Sequence, residues 1–569
     1  MDMSINQITS DDRLSNTEHH FRVAAGPGAG KTHWLVNHIK TVLENSARLG
    51  KTRKIACITY TNIAVETILG RLGTSAGQVE VCTIHSFLYN HVVKPYVSFV
   101  AQDYDLNVTK IDGHDDIIFS GYAFLNDWKT RTGQQRIRED NIVVDAFKAI
   151  KWKFNASGNL ISKTDYPYKV GNYAIKTDSY FVYKKMTWEK GALHHDDVLF
   201  FSYQIIQKFP FVLDVLRTKF PYFFVDEFQD SSPIQVAILK LIGQKETIVG
   251  LIGDKAQSIY GFQGADPLQF TSLNLTHLVE YVMVDNRRST HEIIDILNFI
   301  RSGDIQQKKW RTDIGEKSML LIGDKVCSLR KAKEICGSEL VVSLSRDNIT
   351  SNEMKKEIGG IALNNRLFDS LLENDAPSSS NKYRSKVIIA CVKAVELSRE
   401  KKFKDAIKEL ERIFKDINDK EKGKRDALKF ICLLLTNYEE FNDKSLFHFF
   451  QFVKVNVKTD ISDMKSGKAK TFYETHTYQQ LALCVKVPED ISQHKTIHKA
   501  KGDEFDNVLL VLKEEKDLIF LIKPDINIEE HRVNYVAVSR AKNRLFISVP
   551  ILQIANLEYL KQKFDIINI

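Results

Sequence analysis

The feature that most constrains this chain is a glycine-rich segment near its start, which reads Ala25-Gly26-Pro27-Gly28-Ala29-Gly30-Lys31-Thr32. It follows the apolar run 21–25 and precedes the helical pattern 34–43. In the order strand, glycine loop, helix, backbone N–H groups can surround phosphate oxygens, and the helix N-terminus adds partial positive charge. Lys31 can then reach the β- and γ-phosphates, and Thr32 can hold Mg²⁺. The segment predicts a site for a nucleoside triphosphate.

A second motif has complementary chemistry. The apolar run 223–225 ends in Asp226-Glu227, and a strand of a parallel sheet that ends there would carry these carboxylates beside the phosphate loop. Asp226 suits the Mg²⁺ role, and Glu227 can orient or deprotonate the attacking water. A further apolar run, 248–253, leads to Gln257, which can sense the γ-phosphate or its water. Together these motifs predict that the chain binds ATP and hydrolyses it.

Composition bounds the remaining possibilities. The 569 residues suffice for three or four domains, and 43% hydrophobic with 27% charged residues is ordinary for a globular protein. The apolar runs fall short of the ~20 residues of a membrane span, and the polar N-terminus lacks a signal core. Seven scattered cysteines without a C-x-x-C pair indicate a reduced, cytoplasmic protein without structural zinc. The net charge of +8 permits a polyanionic partner without requiring one.

Hydrophobic periodicity predicts two blocks rich in strands, each interrupted by an insertion. Predicted strands are 54–59, 79–83, 223–225, 248–253, 319–322, 340–344, 508–512, 534–539 and 545–549. Predicted helices are 62–72, 198–206, 387–400 and 403–417, and predicted polar breaks are 375–381 and 418–425.

Aromatic and basic residues follow several of these strands. Tyr260 and Phe262 come just after the run 248–253 and could stack on nucleic-acid bases, although by side-chain type alone a place in the core is the better expectation. Arg288 and Arg540 each stand near a predicted strand end. An arginine there could neutralise charge on the γ-phosphate in the transition state, although each alone fits a surface position.

Taken together and in this order, the segments resemble the UvrD/Rep branch of superfamily 1 DNA helicases. The segments are AGPGAGKT at 25–32, TYTNIAVETI at 59–68, TIHSF at 83–87, DEFQDSSPIQ at 226–235, GDKAQSIYGFQGAD at 253–266, NRRS at 286–289, TIHKAKGDEFD at 496–506 and YVAVSRAKNRL at 535–545. The resemblance covers both motor lobes but neither insertion.

The resemblance implies an α/β protein of two RecA-like P-loop lobes, with parallel sheets flanked by helices and a mainly helical insertion in each lobe. The expected boundaries are 1–95 and 196–280 for the first lobe, 96–195 for its insertion, 281–350 and 486–569 for the second lobe, and 351–485 for its insertion. ATP would lie in the cleft between the lobes, single-stranded DNA would cross their top, and translocation would run 3′→5′.

The resemblance also implies roles for residues at matching positions. The phosphates would be surrounded by Lys31, Thr32, Asp226, Glu227, Gln257, Arg288 and Arg540, and Glu504 would contact the sugar. The DNA path would be lined by Tyr60, Thr61, Asn62, His85, Tyr260, Phe262 and His498.

This chain departs from the family pattern at three positions, and the family's upstream glutamine is not obvious. Arg287 replaces a tyrosine that stacks on adenine, although a guanidinium plane can stack as well. Ile63 and Gln263 replace a lysine and an arginine near the DNA or the coupling region. Gln7 is the candidate for the glutamine that reads adenine. These departures leave adenine selectivity and coupling strength open.

Three functions remain to be compared. An ATP-driven translocase or helicase, acting in DNA repair or phage defence, follows directly from the resemblance. A regulatory subunit that senses nucleotides and unwinds weakly is favoured by the lost cations. A metabolite kinase would not need the arginines of a second lobe. The compact size resembles the helicase-like subunit of the Gabija phage-defence system, which implies a nuclease subunit as partner, besides single-stranded or partly duplex DNA.

Overall fold

The computed structural model describes residues 6–359, 366–376, 383–414, 420–488 and 492–569. The chain divides into two compact units. The first comprises Met1–Arg288, Arg301–Thr312 and Ile526–Arg532, and the second comprises Ser289–Ile300, Asp313–Asp525 and Val533–Ile569. The segments 281–288, 301–312 and 526–532, which the sequence placed in the second lobe, therefore cluster with the first unit.

The strands of the first unit alternate with its helices along most of the chain. The strands are β1 (Asn6–Gln7), β2 (Phe21–Ala25), β3 (Ile55–Thr59), β4 (Val79–Thr83), β5 (Lys151–Phe154), β6 (Leu160–Lys163), β7 (Lys169–Val170), β8 (Tyr173–Ala174), β9 (Tyr222–Val225), β10 (Ile248–Gly253), β11 (Val279–Met283), β12 (Asp285–Asn286) and β13 (Lys308–Lys309).

Seven of these strands form a parallel sheet in the order β1-β11-β2-β10-β9-β3-β4. Side chains alternate between the two faces of a strand, and in the central strands of this sheet the side chains on both faces are apolar. In β9, Phe223 and Val225 pack into one core, whereas Tyr222 and Phe224 pack into the core on the other face. The sheet is therefore buried between two layers of helices, as a RecA-like lobe requires.

The helices of the first unit include those that cover this sheet and those of the insertion. They are α1 (Lys31–Asn45), α2 (Asn62–Leu72), α3 (Ile84–Leu88), α4 (Lys94–Tyr96), α5 (Tyr122–Thr132), α6 (Asp140–Lys148), α7 (Asp178–Trp188), α8 (His195–Lys208), α9 (Phe211–Lys219), α10 (Pro233–Ile242) and α11 (Leu268–Ser272).

The first insertion has its own core beside the sheet. Trp128, Phe147 and Tyr183 pack together there, and the antiparallel hairpins β5–β6 and β7–β8 add strands to a part of the chain that the sequence predicted to be mainly helical. The carboxylate of Asp197 lies fully buried at the edge of this insertion and accepts hydrogen bonds from two tryptophan indoles, those of Trp152 (2.9 Å) and Trp188 (3.0 Å).

The second unit contains a parallel sheet in the order β16-β15-β17-β18-β14-β19. Its strands are β14 (Met319–Ile322), β15 (Val341–Ser345), β16 (His494–Thr496), β17 (Phe505–Val511), β18 (Ala541–Val549) and β19 (Asp565–Asn568).

Helices make up the rest of the second unit, and those between 366 and 488 share a separate apolar core. The helices are α12 (His291–Ile300), α13 (Lys325–Cys336), α14 (Asn348–Lys356), α15 (Leu367–Asn374), α16 (Arg384–Arg399), α17 (Phe403–Phe414), α18 (Lys420–Thr436), α19 (Tyr438–Phe441), α20 (Leu446–Asn456), α21 (Lys468–Thr475), α22 (Tyr478–Leu483), α23 (Ile519–Ile522), α24 (Glu529–Val538) and α25 (Ile554–Leu560). The first four residues of α24, 529–532, cluster with the first unit.

Two local predictions are wrong. The run 534–539 is not a strand, because Asn534–Val538 forms the last turns of α24, and Arg540 follows that helix instead of a strand end. A short apolar run fits a buried helix as well as a buried strand, which explains the error. The predicted break 418–425 is helical from Lys420, where α18 begins, and 418–419 lie outside the described residues.

Within the described residues, no single helix is both long and apolar enough to cross a membrane. The pair α8 and α9 passes that test together by length and composition, with a bend of 109° between them.

Candidate nucleotide and DNA site

The glycine-rich segment forms the predicted loop between β2 and α1. Gly28 (φ 72°) and Gly30 (φ 85°) take left-handed conformations that side chains with a Cβ rarely adopt. Gly30 ends the loop, and its carbonyl accepts the hydrogen bond of Trp34 N–H (2.9 Å) in the first turn of α1. Lys31 Nζ donates to the carbonyl of Ala25 at 3.4 Å, and this bond holds the ammonium group near the start of the loop.

The predicted carboxylates follow β9, and β10 lies between this strand and β2 in the sheet. Asp226 is buried, and its backbone N–H donates to the carbonyl of Ile58 at 2.8 Å. Glu227 has a left-handed backbone (φ 53°), which is strained for a side chain of this type. Its N–H donates to Asp226 Oδ1 at 3.0 Å, and this contact helps to hold the strained turn. Such strain is concentrated at functional sites.

A buried polar network connects Glu227 with Gln257. The side chain of Gln229 donates to Glu227 Oε2 and accepts from the N–H of Asp254 (2.9 Å). Gln257 Nε2 donates to Asp254 Oδ2 at 2.7 Å. The same carboxylate forms a two-pronged ion pair with Arg301, at 2.8 and 3.1 Å. Because these groups are desolvated and mutually bonded, the network keeps Gln257 in one orientation.

Arg287 contacts two side chains that the sequence did not connect with it. Its guanidinium lies 4.0 Å from the ring centroid of Trp310 and forms an ion pair with Asp11 at 2.6 Å. The flat guanidinium is thus already stacked on one aromatic face. Gln7 lies exposed in β1, and its Oε1 accepts from Lys308 Nζ at 3.4 Å. The roles of Arg287 and Gln7 at the adenine stay predictions.

Backbone contacts orient Arg288. Its N–H donates to Asn286 Oδ1 (2.9 Å), and its carbonyl accepts from Arg311 Nη1 (2.9 Å). Arg288 is half-buried at the end of the first unit's long N-terminal segment.

The aromatic residues predicted at the DNA path differ in exposure. Tyr260 is only 8% exposed and stacks on Tyr60, with ring centroids 4.6 Å apart, whereas Phe262 is 54% exposed. Tyr60 donates from its hydroxyl to Gln263 Oε1, and this contact joins the two segments. Ile63 is 71% exposed. Phe262 is therefore the more exposed of the two aromatic rings that follow β10, and it lies next to the buried ring of Tyr260.

The other predicted DNA contacts of this unit lie at helix starts. Thr61 caps α2 by accepting from the N–H of Ala64 at 3.2 Å, and Asn62 is exposed in the first turn of that helix. His85 lies in α3, 6.1 Å from the ring of His195. Burial, followed by the neighbouring charges of His195 and His114, lowers the pKa of His85 to about 4. The ring is therefore neutral at physiological pH.

The second unit holds the remaining predicted residues. Arg540 is buried, and its guanidinium donates to the carbonyl of Asp503 at 3.2 Å and to Ser539 Oγ at 2.8 Å. Glu504 Oε2 lies 3.9 Å from Lys542 Nζ. His498 is half-buried in the turn that follows β16.

The donor set fits a hard divalent cation. Thr32 offers a hydroxyl and Asp226 a carboxylate, and Mg²⁺ prefers oxygen ligands of these types. In the described parts of the chain, no group of three or more histidine, cysteine, aspartate or glutamate side chains could hold a metal ion by itself. A cation at this loop would therefore need the oxygens of a bound phosphate in addition to those of Thr32 and Asp226.

Sequence reasoning missed several residues of the site. Gln229 could have been found, since it stands between Glu227 and Asp230 in a recognised motif. Arg301, Trp310 and Asp11 carry no local signal, because their partners are distant in the chain.

Comparison with known proteins agrees with this architecture. Residues 8–277 match the UvrD/REP helicase N-terminal domain, and residues 279–550 match the UvrD-like helicase C-terminal domain.

Curated relatives are similar at moderate identity. The Gabija protein GajB of Bacillus cereus is 26% identical over 337 residues, which cover 50% of this chain and 47% of GajB. The ATP-dependent DNA helicase PcrA of Leuconostoc citreum is 22% identical over 392 residues, 63% of this chain and 49% of PcrA. The PcrA of Staphylococcus aureus is 24% identical over 323 residues, 54% of this chain and 42% of PcrA. The alignments thus span less than half the length of these relatives. With both domain models matched in order over almost all of its length, the chain belongs to the UvrD/Rep helicase family.

Proposed function

We propose that this chain is an ATP-dependent translocase or helicase that moves 3′→5′ on single-stranded DNA. The observation that carries the proposal is the pairing of a glycine loop bearing Lys31 with a buried Asp226 and a strained Glu227 at the same edge of one parallel sheet. Carboxyl ends of parallel strands meet at this edge, which is where such sheets bind ligands.

Each group has a distinct part in the proposed reaction. Backbone N–H groups of the loop and Lys31 bind the β- and γ-phosphates, and Thr32 and Asp226 would hold Mg²⁺, which supplies charge neutralisation when bound. Glu227 orients or deprotonates the attacking water, and Gln257, fixed by Asp254, senses the γ-phosphate. Arg288 and Arg540 neutralise the charge that develops in the transition state.

Phe262 supports the DNA half of the proposal, because its exposed ring can stack on any base and gives little sequence preference. The relatives named PcrA are described as ATP-dependent DNA helicases, in line with this assignment.

Two variants test the hydrolytic assignment. Lys31→Ala should reduce ATP turnover more than about 100-fold, because it removes a preorganised cation from the phosphates. Glu227→Gln should still bind ATP with Mg²⁺ but lose turnover by a similar factor, whereas Glu44→Gln, an exposed carboxylate of the same unit, should turn over ATP like wild type. Wild-type turnover in Glu227→Gln would refute the role of Glu227.

Direction and unwinding need a separate measurement. Duplexes with a 3′ or a 5′ single-stranded tail should be unwound from the 3′ tail only. Unwinding from the 5′ tail would reverse the proposed polarity.

A second candidate is a regulatory subunit that senses nucleotide or DNA and unwinds weakly, beside a nuclease in a defence complex. Two observations favour it: Ile63 exposes an apolar side chain where the family carries a cation, and Gln263, the other substitution, is engaged by Tyr60. The similarity to the Gabija protein GajB supports this candidate. ATP turnover separates the candidates, since strong stimulation by single-stranded DNA supports the motor and basal turnover alone supports the sensor.

A further inference from the structure

The back of the phosphate loop is held by side-chain and backbone contacts from the pair of short parallel strands β12 and β13. Gln307, immediately before β13, donates from Nε2 to the carbonyl of Pro27 at 2.7 Å. Its Oε1 accepts from Asn286 Nδ2 at 3.2 Å. The N–H of Arg287 donates to the carbonyl of Gly28 at 3.0 Å. Two successive carbonyls of the loop are therefore bonded on the side of β12 and β13.

These contacts determine where the loop N–H groups point. In a trans peptide the C=O and N–H bonds are antiparallel, and the group is planar. Since Gln307 binds the carbonyl of Pro27, the N–H of Gly28 points away from Gln307. In the same way Arg287 turns the N–H of Ala29 away, where it makes a long bond of 3.3 Å to the carbonyl of Gly26. The N–H groups of Gly28 and Ala29 thus both point away from β12 and β13, and we expect a bound phosphate to lie on that opposite side of the loop.

The contact is close enough to require glycine in the loop. A Cβ on Gly26 would lie 2.4 Å from Gln307 Nε2, and a Cβ on Gly28 would lie 2.5 Å from Asn286 Oδ1. Asn286 is fully buried and Gln307 is 5% exposed, so the side chains have little freedom to withdraw. The loop and its support fit as one packed unit.

We infer that Gln307 is a positioning residue of the nucleotide site, which holds the Pro27–Gly28 peptide so that its N–H is preorganised for a phosphate oxygen. The inference rests on the proposed function, because it assumes that a nucleotide phosphate occupies the loop. In this role Gln307 acts through the backbone of the loop and not through contact with the nucleotide. Preorganised donors gain affinity because they need not be reoriented on binding.

Replacement of Gln307 by methionine tests the inference, since it retains the length of the side chain and removes the amide atoms that bond Pro27 and Asn286. The affinity for the fluorescent nucleotide mant-ADP with Mg²⁺ should fall about 3- to 10-fold, the effect of one orienting hydrogen bond. The KM for ATP should rise by a similar factor with kcat nearly unchanged, because the loop binds ground and transition states alike. Gln307→Glu should weaken mant-ADP binding further, because it places a negative charge behind the loop.

The neighbour Gln306 provides a matched control, since its side chain donates to the carbonyl of Arg301 and not to the loop. Gln306→Met should bind mant-ADP like wild type. Equal affinity of Gln307→Met and wild type, with or without a lower melting temperature, would overturn the inference, as would an equal loss in Gln306→Met.

The wild-type protein distinguishes this inference from the proposed function. If wild type binds mant-ADP but does not hydrolyse ATP, the proposed function fails, and the comparison of Gln307→Met with wild type still decides the positioning role. If wild type does not bind mant-ADP, both are refuted.

Discussion

Replacing Phe262 with alanine should weaken binding of single-stranded DNA while leaving the first unit folded. The ring is 54% exposed, and its centroid lies 6.0 Å from that of Tyr260. Tyr260, two residues earlier, is 8% exposed and stacked on Tyr60. The same short segment therefore contains one buried aromatic residue and one exposed aromatic residue, which allows the two roles to be measured side by side.

The expected magnitudes differ between binding and stability. Stacking of a base on an aromatic side chain contributes about 1–3 kcal/mol, so the DNA affinity of Phe262→Ala should fall about 5- to 150-fold. A fully buried phenylalanine would cost about 3–5 kcal/mol of folding stability, and a ring that is more than half exposed should cost less than about half of that. Tyr260→Ala, which removes a buried ring, should destabilise the protein more than Phe262→Ala.

The assay combines three measurements on each variant. Fluorescence anisotropy with labelled oligothymidine gives DNA affinity, and it should weaken steeply as salt rises, because phosphate contacts release counterions. ATP turnover with and without DNA gives the stimulation ratio, and thermal melting gives stability. Phe211→Ala is the control, since this phenylalanine of the same unit is 46% exposed and lies outside the predicted DNA path.

One combination of results would refute the stacking role. If Phe262→Ala melts earlier, like Tyr260→Ala, and keeps the wild-type ratio of stimulated to basal turnover, then Phe262 is a packing residue. DNA affinity equal to that of wild type and of Phe211→Ala would lead to the same conclusion.

Two further predictions concern Arg540 and His38. Arg540→Ala should lower kcat at least about 10-fold with little change in nucleotide affinity, since the proposed contact strengthens in the transition state. Arg544→Ala is the control, because it removes a cation that is paired with Glu316 and should retain kcat. A rise in KM alone for Arg540→Ala would contradict the assignment. Burial lowers the pKa of His38 from 6.5 to about 3, so the unfolded chain takes up a proton that the folded protein excludes between these values. The stabilisation that neutral His38 provides is complete above about pH 6.5 and decreases as the pH falls, by about 2 kcal/mol at pH 5. Between pH 7.5 and pH 5, the free energy of unfolding measured in urea should therefore fall by about 2 kcal/mol less in His38→Phe than in wild type. His33→Phe is the control, because His33 is exposed and its replacement should leave this loss unchanged.

Local pattern alone was sufficient for much of the fold and for the position of the glycine loop between β2 and α1. The bounds of α2 (Asn62–Leu72), β4 (Val79–Thr83) and β10 (Ile248–Gly253) agree with the predictions residue for residue. Apolar runs bounded by turn residues specify such elements through interactions close in sequence. The polar residues that follow those runs, such as Asp226, were identified for the same reason. The prediction of a strand at 534–539 was wrong, since periodicity cannot distinguish a short buried helix from a buried strand.

Other features depended on the tertiary structure. Only the folded structure shows that Phe262 is exposed and Tyr260 is buried, although both side chains are aromatic and lie two positions apart. Gln307 reaches Pro27 across 280 positions of the chain. Contacts of this kind depend on strand order, register and the packing of distant segments, and no local pattern encodes them. The phosphate loop was therefore determined by its own sequence, whereas the side chains that hold it in place were determined only by the folded chain.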